Sequence, residues 1–382
     1  MRVCYFTHES NITGANRSML DMLDGLKGRD VEPLVLIRRA GPLKDELEAR
    51  GIRYQIIPYK NTLQATSTLR GIAKKALNRL AVPRIRKCLR DNRIELLHNN
   101  DMMCRLGAEA ALLEGIPYVC HLRDMVQEDH RRSFENEARE KEILNKAAGV
   151  VCISEYVHKK FSSWMPEQQN VIIVHNGVNA AHYLIPGKKI LAGKTAALSI
   201  VGRISENKKQ LEAVKAMDIL QNDRGIAGIT LKAVGLLPTE RDAGYVKSIQ
   251  DFAEEKHLEG VSLVPFSKDV IELQQDVDIG LMCSDHEAMG RSTIESMLAG
   301  NVTIGARAGA TPELVEDGRT GLLYESGSPE DLADKIEYVM KHPEEAREIA
   351  LRGQEYALKN FDIRAYGAKI EEVYRNILKK GQ

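Results

Sequence analysis

Two carboxylates with seven residues between them, Glu287 and Glu295, bracket the stretch of this chain whose residue types best suit chemistry. It reads His286-Glu287-Ala288-Met289-Gly290-Arg291-Ser292-Thr293-Ile294-Glu295. An apolar run over 278–283 precedes it and has the composition of a buried parallel strand. Residues 293–299 then have the composition of a helix. A strand, a glycine-bearing turn and a helix start bring backbone N–H groups to where they can hold an anion. Carboxylates on either side accept hydrogen bonds from hydroxyls, and phosphates beside hydroxyls describe a nucleotide sugar. The plainer reading is one solvated acid and one acid set against a helix dipole. Composition alone favours that second reading.

Other residues upstream and downstream bear on the choice. Gly202 and Arg203 follow a strand-like run over 196–201, and Lys208 and Lys209 sit near the start of the next helix. Cations at a strand's carboxyl end and near a helix N-terminus suit a diphosphate, although basic residues at helix starts are common on surfaces. Gly235 closes the following strand, and Pro265-Phe266 closes the one after it, both at positions where a nucleobase can lie. Residues 305–313 repeat the pattern of strand, loop with Gly309, and helix start, with Pro312 in the first turn, where proline is favoured.

The elements that must position these residues alternate along the whole chain. Strand-like runs fall at 3–8, 32–39, 54–59, 94–99, 118–122, 149–154 and 171–174, with helical segments between most of them. The pattern breaks over 176–195, where Asn176-Gly177 and Pro186-Gly187 mark turns. It then resumes with strands at 196–201, 229–234, 261–265, 278–283, 302–306 and 321–324. Such alternation predicts doubly wound parallel sheets, in which ligands sit at the carboxyl ends of the strands. In the first half that rule selects Gly14, Asn99, Asn100, His121 and Ser154. The expected organisation is an α/β domain over 1–180, a second over 181–361 with a cleft between the two, and a C-terminal helix over 362–382 returning toward the first. Tyr366, Ile370, Val373, Tyr374 and Ile377 form one stripe of that helix.

Bulk properties bound the function. A chain of 382 residues, 43% hydrophobic and 28% charged, is a soluble globular protein of two domains. No apolar run approaches the roughly 20 residues of a membrane helix. The N-terminus enters a strand-like run directly and lacks a signal-peptide layout, so a cytoplasmic location is expected. Six scattered cysteines show no metal or disulfide spacing and read as reduced and mostly buried. His130 and its acidic neighbours form no metal constellation. The formal net charge is zero, which argues against general nucleic-acid binding. The first 180 residues nevertheless carry 28 Lys and Arg against 22 Asp and Glu, leaving 26 against 32 for the rest. Much of the basic excess lies in 69–93, where nine cations face one acid, Asp91. Its apolar residues recur at helical spacing, and Pro83 is expected to kink or split the helix. The segment reads either as a solvated basic face on a core helix or as a contact with anionic lipid headgroups or a lipid-linked acceptor at the inner face of a membrane.

Taken in order, these motifs resemble the retaining glycosyltransferases of family 4, which have the GT-B architecture of two Rossmann-like domains. The resemblance spans nearly the whole chain. Glu287 and Glu295 resemble the family's paired glutamates, Val201-Gly202-Arg203 with Lys208 its phosphate-binding Arg and Lys, and Ala308-Gly309 with Pro312-Glu313 its second glycine loop. In the first half, Thr13-Gly14-Ala15-Asn16 is similar to the acceptor-side glycine loop and His121-Leu122-Arg123-Asp124 to a His-bearing strand end. Ala288-Met289 stands where many members have Gly-Phe, and Gly14 stands where two glycines are usual.

The resemblance implies roles. Arg203 and Lys208 neutralise the donor diphosphate and stabilise the leaving group. Glu287 meets hydroxyls of the transferred sugar and Glu295 the ribose hydroxyls. Backbone groups around Met289, Gly290 and Arg291 hold phosphate oxygens, with Gly202, Gly235 and Gly309 lining the donor side. His121 touches the sugar or shapes the reacting centre, and Gly14, Asn100 and Arg123 lie on the acceptor side. No metal or other cofactor is implied. The expected activity moves a hexose or N-acetylhexosamine from a nucleoside-diphosphate sugar, UDP by family frequency, to a hydroxyl of a glycan or lipid-linked acceptor. A nucleotide-sugar epimerase and a binding-only module remain as alternatives.

Overall fold

The computed structural model describes residues 1–65, 67–126, 132–193, 195–237, 242–267 and 271–380. His130 lies outside the described residues. Two compact units divide the chain: Met1–Gly177 with Ile363–Gln382, and Val178–Asp362. The sequence pattern alone puts the divisions after residues 180 and 361.

The first unit is built on a seven-stranded sheet with strand order β3-β2-β1-β4-β5-β6-β7. Its strands are β1 (Arg2–Phe6), β2 (Glu32–Ile37), β3 (Arg53–Ile56), β4 (Leu96–Asn99), β5 (Tyr118–Leu122), β6 (Gly149–Cys152) and β7 (Val171–Ile173). Every pairing is parallel. The interior strands β4, β5 and β6 are buried at each residue, whereas the edge strand β3 is largely exposed. That contrast is why the inner strands read as continuous apolar runs.

The second unit carries a six-stranded parallel sheet of order β10-β9-β8-β11-β12-β13. Its strands are β8 (Ala196–Val201), β9 (Ile229–Leu236), β10 (Val261–Pro265), β11 (Ile279–Met282), β12 (Val302–Ala306) and β13 (Leu322–Tyr324). In both sheets the chain winds outward on one side of the first strand and then returns to its other side. Each sheet therefore has a switch point, at β1/β4 and at β8/β11.

The helix Ile363–Lys380 buries Tyr366, Gly367, Ile370, Val373, Tyr374 and Ile377 in the first unit. It crosses the helix Gly14–Leu26 at two glycines, where the backbones come into direct contact. A Cβ on Gly367 would stand 2.1 Å from Gly25 O, and one on Gly25 would stand 2.0 Å from Ile363 O. Val178 N–H donates to Phe361 O (2.8 Å), which ties the start of the second unit to its end.

Three local expectations are corrected. Gly14 is not a loop glycine: the helix begins there, with Thr13 as its cap accepting from Asn16 N. The apolar spacing predicts a helix from about Arg17, and a hydroxyl side chain capping the first turn starts it three residues earlier. The helix Thr68–Asp91 runs through Pro83 without a break. Its first half is not a core helix, because Leu69, Ile72 and Leu80 are 81%, 62% and 60% exposed. The buried face is carried instead by Asn78, Ala81, Ile85, Cys88 and Leu89, toward the C-terminal half.

Candidate functional site

In the second unit the switch point brings together the loops that follow β8 and β11, the position where open α/β sheets bind ligands. Gly202 and Arg203 leave β8, and the tight turn Glu206–Lys208 follows. The loop after β11 carries Asp285 and Glu287 and ends at Gly290 (φ 93°), which starts the helix Arg291–Leu298. Lys208 Nζ pairs with Glu287 Oε2 across the switch point. Lys209 pairs with Asp285 at 2.6 Å, and Ser284 Oγ donates to Asn207 O at 2.8 Å. The aliphatic stem of Lys208 lies over Gly202, within 3.8 Å of where a Cβ would be.

The loop after β12 fixes the backbone of Glu287. Ala310 N–H donates to Glu287 O at 2.9 Å. A Cβ on Gly309 (φ 58°) would stand 2.7 Å from Glu287 N and 2.8 Å from Glu287 O, so only glycine fits. On the other side, a Cβ on Gly235 would stand 2.1 Å from Gly202 O, which packs the ends of β8 and β9 backbone to backbone. Met289 is buried. Glu295, on the second turn of its helix, pairs with Arg291 at 3.2 Å. Tyr183 adds a hydroxyl bonded to Glu295, and its pKa is pushed up to about 12, by burial first and then by the Glu295 charge.

Arg203 does not reach Glu287. Its Nε donates to Asp242 Oδ2 at 2.6 Å. Each of the four cations Arg203, Lys208, Lys209 and Arg291 thus has a carboxylate partner. A guanidinium has five N–H donors and an ammonium three, so the pairs balance charge and still leave donors for phosphate oxygens. The start of the helix Arg291–Leu298 contributes amide groups that its own ladder does not use.

The first unit holds the remaining sequence-selected residues. Gly14 opens its helix, and a Cβ there would meet nothing within 4 Å. Asn100 and Arg123, read as acceptor-side, are turned inward and occupied. Asn100 Nδ2 donates to Ala15 O, and Arg123 bonds Asn100 through Nε, Asn176 through Nη1 and the Tyr366 hydroxyl through Nη2. Arg123 thereby anchors the C-terminal helix to the ends of β4 and β5.

His121 is fully buried and stands 3.1 Å from His98, Nδ1 to Nε2. His98 Nδ1 in turn lies 2.8 Å from the Tyr374 hydroxyl. Both rings have pKa values held well below the usual histidine range, first by burial and then by the charge of Arg123. His121 Nε2 is buried and has no partner among the described residues.

A further pair was missed in the sequence. His8 and Asp101 meet at 2.6 Å across the β1/β4 switch point. Burial acts to lower the His8 pKa, but the charge and hydrogen bond of Asp101, with Asp124 and Glu9, outweigh it and leave it raised. Asp242, Asp285, Tyr183 and His98 were missed as well, and Tyr374 was read only as part of the last helix's stripe. Asp285 alone had a signal, since it adjoins the Glu287 stretch; the others meet their partners only through strand order.

The six cysteines are buried and free. Burial raises Cys120, Cys152 and Cys283 to about 12, so none of these three is a thiolate at neutral pH. Among the described residues no three His, Cys, Asp or Glu side chains group as a metal site, and no helix is long and apolar enough to cross a membrane.

Comparison with known proteins agrees with the fold. A family model described as Glycosyltransferase Family 4 matches residues 12–182, and one described as Glycosyl transferases group 1 matches residues 185–356. The chain belongs to the family 4 glycosyltransferases, with the GT-B fold of two Rossmann-like parallel-sheet domains. It is 25% identical over 236 residues to the N-acetyl-alpha-D-glucosaminyl L-malate synthase of Bacillus anthracis, covering 56% of this chain and 61% of that one. Similarity to the capsular polysaccharide biosynthesis glycosyltransferase CapM of Staphylococcus aureus is 21% over 247 residues, 62% of this chain and 63% of that one. The matches thus span less than two thirds of either relative. Among solved structures, Anabaena HepE in complex with UDP superposes with a TM-score of 0.80 at 22% identity, covering 98% of this chain and all of that one.

Proposed function

We propose that this chain is a retaining glycosyltransferase that moves a hexose or N-acetylhexosamine from a UDP-sugar to a hydroxyl of a glycan or lipid-linked acceptor. The observation that carries the reading is the Lys208–Glu287 pair spanning the β8/β11 switch point, with Arg203 just after β8 and the Glu287 backbone held by Gly309. A cation and a carboxylate at one crevice match a substrate with a diphosphate at one end and sugar hydroxyls at the other. The UDP complex of HepE and the capsular-polysaccharide role of CapM support the choices of nucleotide and acceptor class.

In this mechanism Arg203, Lys208 and the amides at Gly290–Arg291 bind the diphosphate and take up the charge that develops on the leaving oxygen. Glu287 orients the transferred sugar, and Glu295 with Tyr183 receives the ribose hydroxyls. The acceptor hydroxyl attacks the anomeric carbon on the face that the diphosphate leaves. The C–O bond to phosphate breaks, and the hydroxyl proton passes to the departing phosphate oxygen. His8, held by Asp101, orients the acceptor. The protein's cations, rather than a metal, carry the phosphate charge, so activity is expected to be insensitive to chelators.

A thermal-shift panel of nucleotide sugars tests the donor, because a ligand that binds the native state raises apparent stability. Only UDP-sugars are expected to shift the transition. Lys208→Ala and Glu295→Ala are expected to lower turnover roughly 100-fold or more with the fold retained; near-normal turnover in both would reject the site. An epimerase would convert the donor without any acceptor, and a binding module would leave it unchanged.

The lipid-linked acceptor has its own structural support. Leu69, Ile72 and Leu80 project from one face of the helix Thr68–Asp91, and the nearby Arg79 and Arg84 have no partners among the described residues. An exposed apolar stripe flanked by cations suits an anionic bilayer surface and supports a peripheral position at the inner face of a membrane. Sedimentation with phosphatidylglycerol vesicles but not with phosphatidylcholine vesicles is the expected result. Equal behaviour with both would retire this docking surface.

A further inference from the structure

Lys209 carries the chain from the tight turn Glu206–Lys208 into the helix Gln210–Asp218, and its backbone is left-handed (φ 51°, ψ 38°). Among the described residues, five that are not glycine take a positive φ. Two of them, Arg93 and His257, stand just past the ends of helices, where a left-handed residue is an ordinary terminator. Lys209 stands before a helix instead. Lysine is disfavoured there on two counts: its Cβ resists the left-handed region, and it has no oxygen with which to cap the helix. Glycine or asparagine would suit both requirements better.

The side chain returns little of this to the stability of the fold. Lys209 Nζ meets Asp285 Oδ2 at 2.6 Å, with the two side chains 30% and 29% exposed, and an ion pair so open to water stabilises weakly. Its place is more telling. The turn is cross-linked to the loop after β11 at three successive residues: Asn207 O accepts from Ser284 Oγ at 2.8 Å, Lys208 pairs with Glu287, and Lys209 pairs with Asp285. The Lys208–Glu287 pair thus has a tie on either side of it along the turn. Lys208 is a long, flexible side chain, and these ties fix where its backbone begins.

We propose that Lys209 is a positioning residue: its pair with Asp285 clamps the turn Glu206–Lys208 to the loop after β11, so that Lys208 and Glu287 meet, and it binds no phosphate itself. A left-handed lysine is kept because the ammonium is needed at that point of the turn. The action of Lys208 and Glu287 on a UDP-sugar rests on the function proposed above; the clamp does not.

Hydrogen–deuterium exchange of the ligand-free chain, read by mass spectrometry over peptides covering 203–211 and 284–292, tests the clamp without a substrate. The Lys208 and Lys209 amides donate to Ser205 O (2.9 Å) and Glu206 O (3.3 Å), so loosening of the turn shows as faster exchange. Asp285→Asn, which leaves the backbone at 209 alone, is expected to speed exchange about 2- to 5-fold; unchanged exchange overturns the proposal. Lys209→Gly should loosen the turn likewise while the melting temperature stays the same or rises by up to about 4 °C. A fall in melting temperature would make the lysine merely structural and also overturns it. Lys209→Arg keeps the charge and is expected to restore slow exchange. Titration with UDP then separates positioning from phosphate binding by sign. Asp285→Asn removes a negative charge beside the switch point, yet should weaken UDP about 2- to 5-fold, with the double variant Lys209→Gly/Asp285→Asn no weaker than either single one. Equal or tighter binding in Asp285→Asn would show Lys209 released to the phosphates and overturns the proposal. A wild-type protein that binds no UDP, with the exchange results as expected, rejects the donor reading and leaves the clamp standing.

Discussion

Acidification tests the environment of the two buried histidines quantitatively. His98 and His121 are fully buried and their pKa values are depressed by burial and by Arg123. In the unfolded chain a histidine takes up a proton near pH 6.5. A group whose pKa is depressed on folding contributes stability that is complete above the unfolded value and is lost as pH falls from there toward the folded value. Between pH 7.5 and 5.5 each ring that stays neutral in the native state therefore costs about 1.4 kcal/mol, and the two together about 2.7 kcal/mol. His8 works in the opposite direction, because Asp101 raises its pKa; it is common to both proteins compared and cancels in a difference. The perturbation is His98→Gln with His121→Gln, which retains polar side chains but removes both protonation sites. Trp164 is the single tryptophan and lies in the first unit, packed on Phe134 and Phe161. Its fluorescence in urea titrations thus reports the unit that contains both histidines. The wild type should lose about 2.7 kcal/mol more than the double variant across this pH interval. Equal losses in the two proteins would refute the assignment of neutral, buried rings.

Gly309→Ala places a Cβ 2.7 Å from Glu287 N at a residue with φ 58°. A loss of about 1–3 kcal/mol and of nucleotide-sugar binding is expected by thermal shift, and retained binding would show that the Glu287 backbone need not be held there. Gly367→Ala forces a Cβ to 2.1 Å from Gly25 O. It should destabilise the Trp164-reported transition by about 1–3 kcal/mol or more, with the transition of the second unit unmoved. Leu69→Ser with Ile72→Ser should abolish vesicle sedimentation while changing stability by less than about 0.5 kcal/mol, because both side chains are exposed.

The legible part of the site was the part carried by contiguous sequence. Glu287, Gly290 and Glu295 stand in one strand–turn–helix, and the structure places each within the loop or helix expected. Arg203 and Lys208 follow β8 in the same way. Their partners were not legible: Lys208 and Glu287 are 79 residues apart, Arg203 and Asp242 are 39 apart, and Tyr374 and His98 are 276 apart. The segment 69–93 shows the opposite failure. Helical spacing of Leu69, Ile72 and Leu80 suggests burial, yet periodicity reports only that residues share a face, not whether anything covers it.

By itself the amino-acid sequence determined the alternation of strands and helices, the parallel character of both sheets, the tyrosine-bearing stripe of the last helix, and the loops that hold the charged residues. These follow from local composition: strands buried on both faces must be apolar throughout, and glycine and proline punctuate the turns between them. Tertiary structure decided which charged groups pair, that Arg123 and Asn100 face inward, that Gly14 begins a helix, and that His98 and Tyr374 stand behind His121. Those outcomes depend on strand order and on the backbone contact at Gly25 and Gly367 that brings the last helix against the first. A residue's own neighbours in sequence carry no record of which distant strand will lie beside it.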